Sequence, residues 1–97
     1  MKERKIALSA GEFHLREWGD ADKPRILMLH GFPEYSGAWS ELGTALASDY
    51  HCIAPDQRGY GQSPCPEGVE NYAVGKLVGD MAELIEALGL EIVKSFN

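Results

Sequence analysis

The chain of 97 residues has the length of one small domain. Nine Lys and Arg against fifteen Asp and Glu leave a formal charge of −6, which argues against nucleic acid as a partner, because binding phosphates needs a basic face. Leu, Ile, Val and Phe make up about 23% of the chain, above the ~20% below which disorder is expected, so material for a core is present.

Two cysteines, Cys52 and Cys65, are too few for a disulfide scaffold and sit in no metal-ligand spacing. They read as ordinary thiols of a reducing compartment. The amino terminus, Met1-Lys2-Glu3-Arg4-Lys5, is charged, and no apolar run long enough for a signal peptide or a membrane span follows it. A cytoplasmic protein without a membrane partner is expected.

In chain order, Lys5 to Ser9 reads as a short strand. Gly11-Glu12 supplies a turn, and the alternation from Phe13 to Trp18 makes a second strand, so the two form an antiparallel hairpin. Gly19 to Pro24 is a polar connection dense in turn formers. Ile26-Leu27-Met28-Leu29 is continuously apolar, as in a strand buried on both faces. Ser36 is positioned to cap a helix with Trp39, Leu42, Ala45 and Leu46 on its inner face. Tyr50 to Ala54 is the next strand, stopped by Pro55, and Asp56 to Gly68 is loop.

Asn71 is a candidate cap for a last helix whose stripe is Val74, Leu77, Val78, Met81, Leu84, Ile85 and Leu88, with Gly89 as its stop. Glu91 to Phe96 starts one more strand. This order belongs to the α/β class: an antiparallel hairpin, then parallel strands joined by crossover helices.

His30-Gly31-Phe32-Pro33-Glu34 directly follows the buried strand. Ligands of open α/β sheets sit at the carboxyl ends of the strands, so this turn is placed for chemistry. Read from its residues alone, it is either a rigid backbone donor for a developing oxyanion or a tight strand-to-helix turn that binds nothing. In the loop Ala54-Pro55-Asp56-Gln57-Arg58-Gly59-Tyr60-Gly61-Gln62-Ser63, the third glycine of a dinucleotide fingerprint is missing, and Gly-Lys-Ser/Thr occurs nowhere. A nucleotide site is therefore set aside. Asp56 and Arg58 read as holding the loop through hydrogen bonds, or as each other's ion-pair partners.

His14, His30 and His51 read as structural or exposed rather than catalytic. Asp80 and Glu83, three apart on one helix, read with Glu34 as carboxylates of a solvated face, Asp80 with a possible tie to a neighbouring loop. No residue set suggests a metal or a cofactor.

Taken together, His30-Gly31-Phe32-Pro33-Glu34, Trp39 on the next helix and Ala54 to Ser63 resemble the α/β-hydrolase superfamily, and within it the epoxide hydrolase and haloalkane dehalogenase branch. Tyr72 to Leu90 resembles the helix that precedes the catalytic turn in that family. The resemblance implies that Phe32 gives its backbone N–H to the oxyanion hole, that His30, Gly31 and Pro33 shape the turn, and that Phe32 and Trp39 line the substrate pocket. It implies a structural role for Asp56, Arg58, Gly59 and Gly61.

In that branch an aspartate attacks carbon to form an ester, which a histidine-activated water hydrolyses; esterase relatives use serine. The family's nucleophile elbow, Gly-x-Ser/Asp-x-Gly, does not occur, and Ser95 lacks the flanking glycines. Residues 1–97 are thus expected to form the N-terminal part of such a domain, with an incomplete sheet and without nucleophile, acid or base. The expected substrate of the longer protein is small, neutral and apolar. Expected behaviours of the chain itself are marginal stability, no turnover, and pairing with a complementary C-terminal half or self-association through the open sheet edge.

Overall fold

The structure, a computed structural model, describes residues 1–30 and 36–89 and the backbone of residues 94–96. Strands β1 (Lys2–Leu8) and β2 (Gly11–Trp18) form the antiparallel hairpin, followed by β3 (Arg25–Met28). A 3-10 turn at Ser36–Trp39 leads into helix α1 (Ser40–Leu46), then strand β4 (His51–Pro55). A second 3-10 turn at Val69–Tyr72 precedes helix α2 (Val74–Ala87), and β5 (Lys94–Phe96) follows. The sheet runs β1-β2-β4-β3-β5. β4 lies antiparallel to β2 and parallel to β3, and β5 lies parallel to β3, so the expected mixed α/β sheet is present.

The pleat divides the core between two faces. Phe13, Leu15, Leu27 and Ile53 point to one face, where Met81 and Leu84 of α2 cover them. Trp18, Ile26, Met28, Cys52 and Ala54 point to the other, packed with Trp39, Leu46 and Ala47 from the α1 side. All five residues of β4 are buried, as expected of a central strand with neighbours on both edges and cover on both faces.

Several elements differ from their sequence-based expectation. β1 begins at Lys2 rather than Lys5, because its charged residues find partners across the hairpin. Arg4 Nε lies 2.7 Å from Glu17 Oε2, and His51 Nε2 lies 2.7 Å from Glu17 Oε1. Ser36 does not cap α1; it is buried in the preceding turn, and no side chain caps the helix. Leu42 and Ala45 are exposed; Leu46 does pack on the core, and the one buried residue of α1 is Gly43.

Asn71 lies in the second 3-10 turn, and Ala73 occupies the uncapped helix start. Val74 and Val78 are 76% and 61% exposed, so the inner stripe of α2 is narrower than its sequence suggests. Gly89 does end α2: it has φ +66° and its N–H donates to Glu86 O at 3.1 Å. Residues 91–93 of the expected last strand lie outside the described residues. Among the described residues no helix is long and apolar enough to cross a membrane, and no three His, Cys, Asp or Glu side chains are grouped to hold a metal ion.

Gly43 shows how closely α1 is laid on the sheet. A Cβ built there would stand 2.4 Å from Cδ2 of Trp18, whereas one built at Gly79 of α2 meets nothing within 4 Å. Alanine favours a helix over glycine by about 0.5–1 kcal/mol at both positions, but overpacking costs about 1–3 kcal/mol. Gly79→Ala is therefore expected to raise the urea midpoint and Gly43→Ala to lower it; equal shifts in one direction would contradict the packing.

Candidate active site

The carboxyl ends of β3 and β4 lie side by side in the sheet. They deliver His30 and the loop starting at Asp56 to the same rim. Gly31, Phe32, Pro33 and Glu34 lie outside the described residues, but both flanks of their turn, His30 and Ser36, are described.

On the leading flank, His30 is buried. Its Nε2 accepts the backbone N–H of Gln57 at 3.0 Å, and its carbonyl accepts from Gln57 Nε2 at 2.9 Å. A backbone N–H can only donate, so His30 Nε2 is the acceptor and the ring proton sits on Nδ1. The ring also meets Tyr60 edge-on, with centroids 4.9 Å apart and planes at 72°. His30 is accordingly a structural member of the rim, as its sequence context suggests.

On the trailing flank, the fully buried Asp56 carboxylate takes the N–H of Ser36 at 2.7 Å on Oδ1. Its Oδ2 takes the N–H of Gln62 at 3.1 Å and faces His14 Nδ1 at 2.8 Å. Burial by itself pushes the Asp56 carboxyl up, but the bonds from the Ser36 hydroxyl, the Gln62 and Ser36 N–H groups and His14 outweigh it, and the group ends below its ordinary value. Further out, His14 Nε2 reaches Glu3 Oε1 at 2.8 Å, and Arg16 Nη1 donates to Ser36 Oγ at 2.6 Å. Gly61 makes room for this centre. Its φ is +53°, and a Cβ there would lie 2.3 Å from Asp56 Oδ2.

The ion-pair partner of Arg58 is Asp80, not Asp56. Arg58 Nε and Nη2 bond Asp80 Oδ2 and Oδ1 at 2.8 and 2.7 Å, and Nη1 donates to Asn71 O at 2.9 Å. The Asp80 carboxylate raises the Arg58 guanidinium above its ordinary value. Asp80 therefore does not stand on a solvated face; it is buried and ties α2 to the loop after β4. Glu83, on the same helix, instead accepts the N–H and hydroxyl of Ser9 at 2.9 and 2.8 Å. Asp56 and Arg58 both hold the loop through hydrogen bonds, as expected from the sequence.

Trp39 is half-buried against the cluster of Trp18 and Met28. Its Nε1 is buried without a hydrogen-bond partner among the described residues.

Three site residues were not singled out from the sequence: Ser36 as a hydrogen-bonding group, His14 as a carboxylate partner and Gln57 as the partner of His30. A signal existed for His14. It alternates with the apolar Phe13 and Leu15 and shares a strand face with Arg16, so polar groups had to be matched on that face.

The depressed Asp56 group gives stability a definite pH dependence. Its contribution is fully present above the ordinary aspartate value of 3.8 and is lost as pH falls through the lower folded value. Asp56→Asn is expected to remove that slope from urea midpoints measured between about pH 5 and pH 2, and to lower stability at neutral pH. A slope unchanged in the variant would contradict the assignment.

The family described as alpha/beta hydrolase fold matches residues 24–94 of the chain. Epoxide hydrolase 1 of Caenorhabditis elegans is 40% identical over 88 residues, covering 91% of this chain and 22% of that protein. Epoxide hydrolase A of Mycobacterium tuberculosis is 38% identical over 90 residues, covering 92% of this chain and 28% of that protein. The crystal structure of an epoxide hydrolase from Vigna radiata superposes with a TM-score of 0.90 at 38% identity, over 97% of this chain and 30% of that one. The chain thus spans less than a third of the length of these relatives. With the fold, the rim and the match in agreement, the chain belongs to the alpha/beta hydrolase fold family.

Proposed function

We propose that these residues form the oxyanion-turn portion of an epoxide hydrolase-like enzyme, which adds water to an epoxide or a related C–X or ester bond through a covalent ester. The observation that carries this reading is the identity of 38–40% to epoxide hydrolases over nine-tenths of the chain. In that chemistry a carboxylate oxygen attacks a ring carbon, the C–O bond opens and the alkoxide takes a proton. Water activated by a histidine then attacks the ester carbonyl, and collapse of the tetrahedral intermediate releases a diol.

The intermediate's oxyanion is best met by N–H donors fixed before the charge develops. The donor proposed here is the backbone N–H of Phe32, with His30, Gly31 and Pro33 shaping its turn and Phe32 and Trp39 facing a small, neutral, apolar substrate. Neither Gly-x-Asp-x-Gly nor Gly-x-Ser-x-Gly occurs in residues 1–97, so no elbow nucleophile is assigned among them. A serine as nucleophile would turn the same rim to ester hydrolysis. A second reading, a non-catalytic half-domain that docks on a complementary chain, is favoured by β5, which pairs with β3 and has no second neighbour among the described strands.

The test compares hydrolysis of styrene oxide by the 97-residue chain and by a fusion that continues it, after Leu90, with the remainder of the Mycobacterium tuberculosis epoxide hydrolase A. The chain alone is expected to show none above buffer, and the fusion to turn over. In the fusion, Phe32→Pro removes the N–H and should lower kcat by about 10²–10³, while Phe32→Ala, which keeps it, should cost far less. Equal effects of the two substitutions would remove the oxyanion assignment. Tight binding of the two pieces without turnover would favour the second reading.

A further inference from the structure

On the face of the sheet that α2 covers, strands β1 to β4 are apolar beneath the helix and charged beyond its end. Leu15 gives way to Glu17 on β2, Ile53 to His51 on β4, Leu27 to Arg25 on β3, and Ile6 to Arg4 and Lys2 on β1. Steps of two keep these side chains on one face. The register sets Lys2 opposite Glu17, Glu17 opposite Ile53, and Arg25 opposite His51. Helix α2 stops at Ala87 and leaves this end of the face open. The result is a cavity of about 330 Å³, lined by the apolar Ile6, Ile53 and Leu88 and by the cations Lys2, Arg4 and Arg25. It lies at the start of β3 and β4, whereas Asp56 follows the end of β4.

Charges that merely solvated a bare sheet end would stand in water. Glu17 and His51 also line the cavity, yet they are only 6% and 7% exposed. They are held in place: His51 Nε2 lies 2.7 Å from Glu17 Oε1, and Arg4 Nε lies 2.7 Å from Oε2. The cavity is thus built beside a fixed, buried pair. Glu17 is the one carboxylate among the described residues that line it. Of the three cations, Arg4 answers Glu17, and Arg25 answers the carbonyl end of α2, its Nη1 3.5 Å from Leu88 O. Lys2 is left as one positive charge in surplus. Arg4 meets Glu17 through Nε, and no bond among those described uses its two Nη groups, a planar pair of donors suited to a carboxylate.

We propose that this cavity binds an organic monoanion, with a carboxylate head on Lys2 and the Arg4 Nη groups and an aliphatic tail along Ile6, Ile53 and Leu88. One surplus charge suits a monoanion better than a phosphate dianion. The apolar lining favours a ligand with a tail over an inorganic ion. The volume stands at the lower end of the range of roughly 300–1,000 Å³ for small-molecule sites, which suits a chain of medium length.

The probe is sodium octanoate, with inorganic phosphate as a head without a tail and 1-octanol as a tail without a charge. A ligand that binds only the folded form raises the urea midpoint, so the midpoint reports binding even where stability is small. Millimolar octanoate at constant ionic strength is expected to raise it in the 97-residue chain and equally in the fusion with the Mycobacterium tuberculosis remainder. In ¹⁵N spectra the amides of Lys2, Arg4, Arg25 and Leu88 are expected to shift. Lys2→Gln should leave the midpoint without octanoate nearly unchanged and weaken the apparent Kd about 3–10-fold, the loss of one charge-assisted bond. Ala87 also lines the cavity, and Ala87→Phe, which fills the path of the tail and keeps the cations, should abolish the rise.

Absence of the rise in either protein would overturn the proposal; absence in the fusion alone would show that other residues of a complete domain fill the cavity. An octanoate effect matched by phosphate or by octanol would also overturn it, as the first needs no tail and the second no charge. Full affinity in both variants would place the octanoate elsewhere on the chain.

Discussion

A single buried carboxylate, Asp56, is the constraint on which the functional end of this molecule depends. It sits at the exit of the central strand β4, where its N–H still bonds to His14 O at 2.9 Å, in continuation of the β2–β4 ladder. A charge with no exposure is tolerable only if its lone pairs are taken up by donors. Meeting that requirement draws in Ser36 from the start of the α1 segment, Gln62 from the loop and His14 from the hairpin. Three separate stretches of chain are thus brought to one point by the solvation needs of one group. The left-handed backbone and missing side chain at Gly61 are the steric condition for it.

A buried ion pair works from the other side. Arg58 and Asp80 meet in a two-pronged arrangement whose geometry suits a guanidinium and a carboxylate better than any lysine pair would. It fixes the loop after β4 to the middle of α2, and the third prong on Asn71 O fixes the approach to that helix. Asp56 organises the rim around the turn, and Arg58 stops the same loop from lifting away from α2. Neither arrangement reads as a device for raising stability as such, since isolated buried ions cost much of what they return. Their effect is to select one arrangement of a glycine-rich loop that has little core of its own.

Much of this was legible in the sequence where periodicity or chain direction decides. The unbroken apolar run Ile26–Leu29 reads as a doubly covered strand, which the structure ends one residue earlier at Met28, and Gly89 stands where a helix stops. The sequence also places His30 and Asp56 at the ends of strands, which is why the rim was visible before any coordinates. Partner choice was not legible, because it depends on which strands become neighbours. Nothing local to Asp80 says that Arg58, twenty-two residues away, will neutralise it, so helix spacing gives it a solvated face with no more than a tie to some neighbouring loop, and the identity of that tie comes from the fold. Gly43 was passed over for a related reason: the apolar stripe named larger residues, while the true contact required the smallest one beneath Trp18.

The position of β4 between β2 and β3 also bears on how the molecule is assembled. Both strands flanking it precede it in the chain, so during vectorial synthesis each emerges before its shared neighbour exists. β2 has β1 to pair with in the meantime, but β3 has no partner until residues 51–55 arrive. Its apolar side chains have nowhere to go in that interval. The sheet therefore cannot be laid down strand by strand in order of translation; it closes by insertion. The loop carrying Asp56 follows immediately behind the inserted strand, so the event that joins β2 to β3 also brings the rim's organising charge into place, before β5 adds to the outer side of β3.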